Sequence, residues 1–286
     1  MMPLINSFKV YLSQTGYGQS SRSMFPAMIA GFLNYHRLTG VHQITPQHIR
    51  EYHDHLQHRP HKQQEGGLSE SYIYHHVYAL KVFFNWMEET GQLKPNPISG
   101  MRFSQPVKKS REPLSPEAVL QLFEATETLR ERAMLHLFYS CGLRRSEGEA
   151  LNTRDIHFKQ QLLYVRSGKG AKRRVVPMPV QVAADLENYY RQERMHQVAR
   201  NDESAFMLNQ VGRRMSGQVY HLLLKRIIKR AGLEEHISLH HLRHSIATHL
   251  LANGLSMELL RQFLGHSFLE TTQIYAKVNQ QQILKL

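Results

Sequence analysis

Residues 105–113 read QPVKKSREP, and this stretch divides the chain. It contains two prolines and three basic side chains and has no apolar period, which is typical of a linker. Directly after it, Ser115 precedes Pro116, a capping residue followed by a proline, and this pattern begins helices. The sequence therefore predicts three parts, which are a first domain at residues 1–104, a basic linker at residues 105–112 and a second domain at residues 113–286.

The first domain is predicted to consist of amphipathic helices. Apolar residues recur at helical spacing after Phe25, and Thr45 precedes Pro46 as a second capping signal. A further helix is predicted to begin at Ser69 and to end near Gly91. No β pattern interrupts these segments, so we expect a small helical domain.

The second domain is predicted to be mixed. Two extended runs, at residues 162–165 and 174–178, flank the glycine-containing segment SGKGAK and predict a β-hairpin. Helices are predicted at residues 116–124 and 129–139 and again near Val182, Gly217, Leu239, Ser256 and Glu270. The fold class is therefore mainly α with a small antiparallel β-sheet, in two domains.

The composition favours a polyanionic partner. Lys and Arg number 36 against 23 Asp and Glu, which gives a formal charge of +13. Such a surplus favours phosphate-rich partners, because neutralised phosphates release condensed counterions. The single cysteine excludes an intrachain disulfide, and neither a secretory signal nor a membrane-spanning run is seen. We therefore expect a soluble protein in the cytoplasm, with no membrane partner.

Five short segments of the second domain contain side chains suited to phosphate chemistry. They are GLRRSE (142–147), GKGAK (168–172), HHLRH (240–244), LGHS (264–267) and QIY (273–275). Arg144 and Glu147 lie one helical step apart, so the carboxylate could orient the guanidinium. Lys169 lies between glycines at the predicted hairpin tip. Each segment alone has an ordinary structural explanation, such as an exposed ion pair, a basic turn or a core tyrosine.

The histidines near residue 240 invite a metal-binding interpretation, particularly the pair His240 and His244. However, no HExxH motif is present, and the segment holds neither a cysteine nor a carboxylate that would complete a zinc site. GKGAK also lacks the glycine spacing and the Ser or Thr of a nucleotide-binding P-loop. The sequence predicts no metal and no cofactor.

Taken in this order, the five segments resemble the catalytic set of the tyrosine recombinases, the phage integrase family, and most of all the Xer type. The resemblance covers the whole chain. It implies a helical, SAM-like core-binding domain and a C-terminal catalytic domain that clamp double-stranded DNA between them. It also implies cleavage and rejoining of DNA through a 3′-phosphotyrosyl link, without cofactor or metal, by a homotetramer or an Xer-like heterotetramer on paired DNA sites.

The resemblance assigns the active site residue by residue. It implies an active-site set of Arg144, Lys169, His240, Arg243, His266 and Tyr275, with Tyr275 as the nucleophile and Glu147 as a supporting acid. The general acid stays open between Lys169 and Lys172, because the geometry of the turn cannot be predicted.

Three departures from the family pattern and several alternatives remain. Gly148 stands where the family has an apolar residue and is expected to loosen its helix, and His241 is an uncommon neighbour of His240. Only eleven residues follow Tyr275, so the tail that is exchanged between protomers is expected to be short.

A type IB topoisomerase and a non-catalytic DNA-binding regulator are the competing functions. Within the recombinases, mobile-element integration or excision and chromosome-dimer resolution are both open.

Overall fold

A computed structural model of the protein describes residues 2–38, 40–61, 65–107, 112–166, 173–197, 204–234 and 236–265. The chain divides into two compact units, Met1–Lys109 and Ser110–Leu286. The linker predicted at residues 105–112 contains four residues, 108–111, that lie outside the described ranges. No helix among the described residues is long and apolar enough to cross a membrane.

The described part of the first unit is helical, as its sequence predicts. Its helices are α1 (Met2–Gln14), α2 (Gln19–Tyr35), α3 (Pro46–His58) and α4 (Glu70–Glu89), with a 3-10 turn at Val41–Gln43. The predicted beginnings are confirmed. Pro46 opens α3, and the Ser69 hydroxyl accepts a hydrogen bond from the Tyr72 amide at the first turn of α4.

An aromatic core holds this unit together. Helix α2 packs against α1 and α4, and α3 packs against α4. The Phe32 ring lies edge-on to both Tyr52 of α3 and Phe84 of α4, with ring centroids 5.3 and 6.2 Å apart. Phe8 of α1 meets Phe83 of α4 in the same manner at 5.2 Å. Such contacts combine large apolar burial with favourable ring geometry, so they fix the helices to one another.

The second unit contains the remaining helices. They are α5 (Pro116–Glu124), α6 (Leu129–Leu135), α7 (Arg145–Ala150), α8 (Val180–Asn188), α9 (Met195–Gln197), α10 (Gly217–Arg230), α11 (Leu239–Ala252) and α12 (Met257–Leu264). A π-helical turn, His136–Ser140, continues α6, a second one, Tyr189–Arg194, joins α8 to α9, and a 3-10 turn lies at Thr153–Asp155. The helix predicted near Glu270 lies outside the described residues.

A three-stranded antiparallel sheet completes this unit, in the order β1 (Ile156–His157), β2 (Leu162–Val165) and β3 (Arg174–Pro177). The predicted hairpin of β2 and β3 is confirmed, with Val165 opposite Arg174 at the end next to the connecting segment. Strand β1 was not predicted, because two residues are too short to show an alternating pattern.

The expectation that Gly148 loosens its helix is wrong. Helix α7 continues through Gly148 to Ala150. The Phe138 ring occupies the space beside this glycine, because a Cβ atom built there would lie 2.6 Å from Phe138 Cζ. Tyr220 of α10 adds a hydrogen bond of 3.1 Å from its hydroxyl to the Gly148 carbonyl. The small residue is thus required by a close contact between α7 and the core.

Candidate active site

Glu147 lies at the centre of a cluster of arginines, beginning with its own neighbour Arg144. Arg144 is the last residue before α7, and Glu147 turns back toward it from the first turn. One carboxylate oxygen accepts the Arg144 backbone N–H at 2.8 Å, and the other accepts Arg144 Nη1 at 2.7 Å. The structure therefore pairs the two residues that stand three apart in GLRRSE.

Arg174, the first residue of β3, binds the same carboxylate in the forked geometry that suits a guanidinium. Its Nη1 and Nη2 atoms donate to Glu147 Oε1 and Oε2, each at 2.8 Å. Its Nε donates to the Phe263 carbonyl at 2.9 Å, near the end of α12. Arg174 lies in the predicted hairpin but is not among the predicted site residues. A charged residue that begins an apolar strand looks the same in sequence whether it is buried or exposed.

Arg243 approaches the cluster from α11. Its Nη1 lies 3.6 Å from Glu147 Oε2 and donates to the Gly142 carbonyl, and its Nη2 donates to the Leu264 carbonyl at 2.6 Å. Burial lowers the pKa of the Arg243 guanidinium to about 9, with help from the positive charges of Arg144 and Arg174. At neutral pH the group is still charged, so it adds a third cation around one carboxylate.

The cluster contains more positive than negative charge. Within the described ranges, Glu147 is the only carboxylate in ion-pair contact with the three guanidiniums. Burial alone would raise the Glu147 pKa, but hydrogen bonds and charge from Arg174, followed by hydrogen bonds from Arg144, together outweigh burial and hold this pKa at about 2. The carboxylate is therefore ionised, and the cluster has a net charge of about +2.

The opening of the cluster is at Arg144. Its side chain is 24% exposed, whereas those of Arg174, Arg243 and Glu147 are 4, 5 and 0% exposed. An anion can therefore reach Arg144 directly from solvent, with the other cations behind it. Permanently charged guanidiniums that bond in a fork are suited to the oxygens of a phosphate group.

His240 lies three residues before Arg243 in the first turn of α11, and it is exposed. The uncommon His241 beside it is buried and has a capping role. Its Nδ1 accepts the Ser238 backbone N–H at 3.0 Å, and the Ser238 hydroxyl accepts the His241 amide in return. This reciprocal cap fixes the beginning of the helix that holds His240 and Arg243.

The remaining predicted site residues, Lys169, His266 and Tyr275, lie outside the described residues, as does the alternative Lys172. The structure thus brings Arg144, Glu147 and Arg243 together. The described segments contain no group of three or more His, Cys, Asp or Glu side chains able to hold a metal ion.

Comparison with known proteins identifies the family. The model of the phage integrase family matches residues 112–282, and that of the phage integrase N-terminal SAM-like domain matches residues 4–92. This chain belongs to the phage integrase family.

Individual relatives agree with this assignment. The chain is 36% identical over 206 residues to tyrosine recombinase XerC of Chlamydia trachomatis, a match that covers 70% of this chain but only 65% of that relative. The crystal structure of XerA recombinase is similar with 25% identity and a TM-score of 0.51, covering 99% of this chain and 96% of that one. A lambda integrase tetramer bound to a Holliday junction shares the fold with a TM-score of 0.70 at 16% identity, covering 95% of this chain and 78% of that one.

Proposed function

We propose that this chain is a site-specific tyrosine recombinase, which cleaves and rejoins DNA strands through a covalent link to Tyr275. The observation that carries the proposal is the arginine cluster around Glu147, whose net positive charge is open to solvent at Arg144. A basic chain of this family would bind a DNA phosphate at such a cluster. The activity of the related recombinases supports the proposal.

The proposed reaction exchanges one bond to phosphorus for another in each step. The Tyr275 oxygen attacks a backbone phosphorus and forms a 3′-phosphotyrosyl bond, while the bond from phosphorus to the 5′ oxygen breaks. The phenol, with an ordinary pKa near 10, must lose its proton, and His240 is the proposed acceptor. Lys169, or alternatively Lys172, gives the leaving oxygen a proton, and His266 donates a hydrogen bond to the phosphate.

Arg144 stabilises by direct contact the charge that develops on the non-bridging oxygens, and the buried Arg243 stabilises it through its nearby positive charge. A preorganised donor in direct contact is typically worth about 3–4 kcal/mol in the transition state. The phosphotyrosyl bond conserves the energy of the cleaved diester, because a 5′ hydroxyl can reverse the attack. Rejoining therefore needs no high-energy cofactor.

The domain roles follow from the same proposal. Residues 1–104 would bind the core DNA site, residues 105–112 would link the domains, and residues 113–286 would perform the cleavage. The formal charge of +13 supports contact with a DNA backbone. We propose that four protomers act on two paired sites, either as a homotetramer or with an Xer-like partner, by analogy with the lambda integrase tetramer.

The nucleophile is tested with DNA duplexes selected from a random pool by binding to the protein, each containing one nick beside the cleavage position. Wild-type protein should form an SDS-resistant adduct with such DNA, and Tyr275→Phe should bind it without forming the adduct. Tyr164→Phe, which alters a half-buried tyrosine of β2, is the matched control and should react as wild type does. An adduct formed by Tyr275→Phe would contradict the assignment.

Intact duplexes with the same selected site separate a recombinase from a topoisomerase. Two differently marked duplexes with the selected site should yield hybrid products when they are incubated together with the protein. Relaxation of a supercoiled plasmid without hybrids would instead indicate the topoisomerase activity. Binding without any cleavage would indicate a DNA-binding regulator.

The arginine cluster has its own test. Arg144→Lys keeps the charge but loses the fork, so we expect adduct formation to slow by about 100- to 1,000-fold while DNA binding is retained. Arg145→Lys is the matched control, because the Arg145 side chain is 66% exposed and pairs with Glu149 on the outer side of the same helix. Equal rates for the two variants would contradict the proposed role of Arg144.

A further inference from the structure

Arg174 connects three segments of the second unit that contain or adjoin predicted site residues. It begins β3, binds both oxygens of Glu147 in α7, and donates to the Phe263 carbonyl of α12. Three of its N–H groups are thus used inside the protein. A buried guanidinium with this many fixed partners has one preferred orientation, so it holds its partners in place as well.

Its contact with the end of α12 is close. Gly265, which ends this helix in the left-handed conformation with φ 71°, packs against the Arg174 side chain. A Cβ atom at Gly265 would lie 3.0 Å from Arg174 Cδ and 3.3 Å from its Nη1. The residue that follows Gly265 in sequence is His266. Arg174 therefore fixes the point at which the chain leaves α12.

We propose that Arg174 is a positioning residue for DNA cleavage, which orients Glu147 so that Glu147 in turn orients Arg144 toward the phosphate. This inference rests on the proposed recombinase function. Arg174 acts through the carboxylate, since its fork is occupied by Glu147 and its side chain is buried. Arg144, which shares Glu147 Oε1 with it, is the group open to the anion.

Arg174 affects the charge of Glu147 as well as its orientation. Three guanidiniums face Glu147, namely those of Arg144 just before α7, Arg174 in β3 and Arg243 in α11. The Tyr220 hydroxyl of α10 donates to the adjacent Gly148 carbonyl. Burial alone would raise the Glu147 pKa, and Arg174 contributes the largest opposing effects. Without Arg174, this carboxyl should take up a proton at a higher pH. A protonated Glu147 pairs with Arg144 more weakly, so cleavage should then fall in mild acid.

The test compares Arg174→Met with Arg194→Met in single-turnover formation of the SDS-resistant adduct. Arg194 is the matched control. It is also buried, and its Nε donates to the Ala205 and Phe206 carbonyls, on elements other than those of the arginine cluster. We expect Arg174→Met to cleave about 100-fold more slowly than wild type, as for a catalytic group misplaced by about 1 Å, with DNA affinity retained. Arg194→Met, measured on its folded fraction, should cleave at the wild-type rate.

Two further variants separate positioning from stability. Arg174→Lys keeps a buried cation but not the fork, so it should fold and cleave at a rate between those of wild type and Arg174→Met. As the pH is lowered from about 7 to about 5, the cleavage rate of Arg174→Met relative to that of wild type should fall. When Glu147→Gln is added, this relative rate should stay constant, because Gln does not titrate.

Each result has a definite meaning. Provided that wild type forms the adduct, any of three results would overturn the positioning role. These are an unchanged cleavage rate in Arg174→Met or Arg174→Lys, a loss of cleavage rate in Arg174→Met equal to that in Arg194→Met, and a loss that does not depend on pH. If wild type itself forms no adduct with the selected duplexes, the proposed recombinase function fails, and this inference fails with it.

Discussion

Gly148→Ala should destabilise the second unit although alanine is the better helix former. The substitution gains about 1 kcal/mol of helix propensity within α7. Against this, the new methyl group would lie 2.6 Å from Phe138 Cζ and 3.0 Å from its Cε1, about 1 Å closer than carbon atoms normally pack. Overpacking of this kind typically costs about 1–3 kcal/mol.

The Phe138 ring has little room to move away. It is fully buried, and its edge-on contact with Tyr220 places the ring centroids 4.9 Å apart. The clash should therefore cost the upper part of this range, about 2–3 kcal/mol, and after the propensity gain the free energy of unfolding should fall by about 1–2 kcal/mol. For a unit of this size, such a loss lowers the Tm by about 2–8 °C.

Far-UV circular dichroism during thermal or urea unfolding measures this effect. The only tryptophan, Trp86, is buried in the first unit, so its fluorescence transition is an internal control that should not shift. Phe138→Leu should relieve the clash, and the double variant should be more stable than the sum of the two single effects by about 1 kcal/mol. If Gly148→Ala is as stable as wild type, or if its effect is strictly additive with that of Phe138→Leu, the Phe138 ring does not require glycine at position 148.

Three further predictions concern buried polar groups of the second unit. At pH values above its ordinary pKa of 4.5, ionised Glu147 should contribute on the order of 3 kcal/mol to the free energy of unfolding, and this contribution is lost as the pH falls toward the folded pKa of about 2. In urea melts, the stability that Glu147→Gln loses relative to wild type should therefore become smaller in acid, and a loss that does not change with pH would contradict this. Asp185→Asn weakens the ion pair with Arg132 at 2.7 Å and should lower the free energy of unfolding by about 1.5–3 kcal/mol, whereas an unchanged urea midpoint would argue against it. Ser245→Ala removes the acceptor of the Leu114 amide at 2.8 Å, so hydrogen exchange at Leu114 should become faster, and an unchanged exchange rate would count against this contact.

The sequence predicts those features of the fold that depend on near neighbours. Ser115 followed by Pro116 begins α5, and the Ser115 hydroxyl accepts the Ala118 amide at 3.2 Å. The pairing of Arg144 with Glu147 spans a single helical step and can be expected for the same reason. Two β runs around a glycine-containing segment likewise predict their own antiparallel pairing.

Contacts between distant segments could not be predicted. Arg174 lies 27 residues from Glu147, and nothing local distinguishes it from an exposed arginine at a strand end. The need for glycine at position 148 arises from the Phe138 ring of another helix. The capping role of His241 involves a ring nitrogen as acceptor, which a motif based on Glu or Gln does not include.

Mass spectrometry of the trapped adduct shows whether DNA becomes covalently attached to Tyr275. Trypsin cleaves after Arg261 and Lys277, and the resulting peptide, QFLGHSFLETTQIYAK, contains a single tyrosine. We predict that nuclease-trimmed adducts yield this peptide with a nucleotide mass on Tyr275. A nucleotide on any other residue, or an adduct that leaves this peptide unmodified, would exclude Tyr275 as the nucleophile.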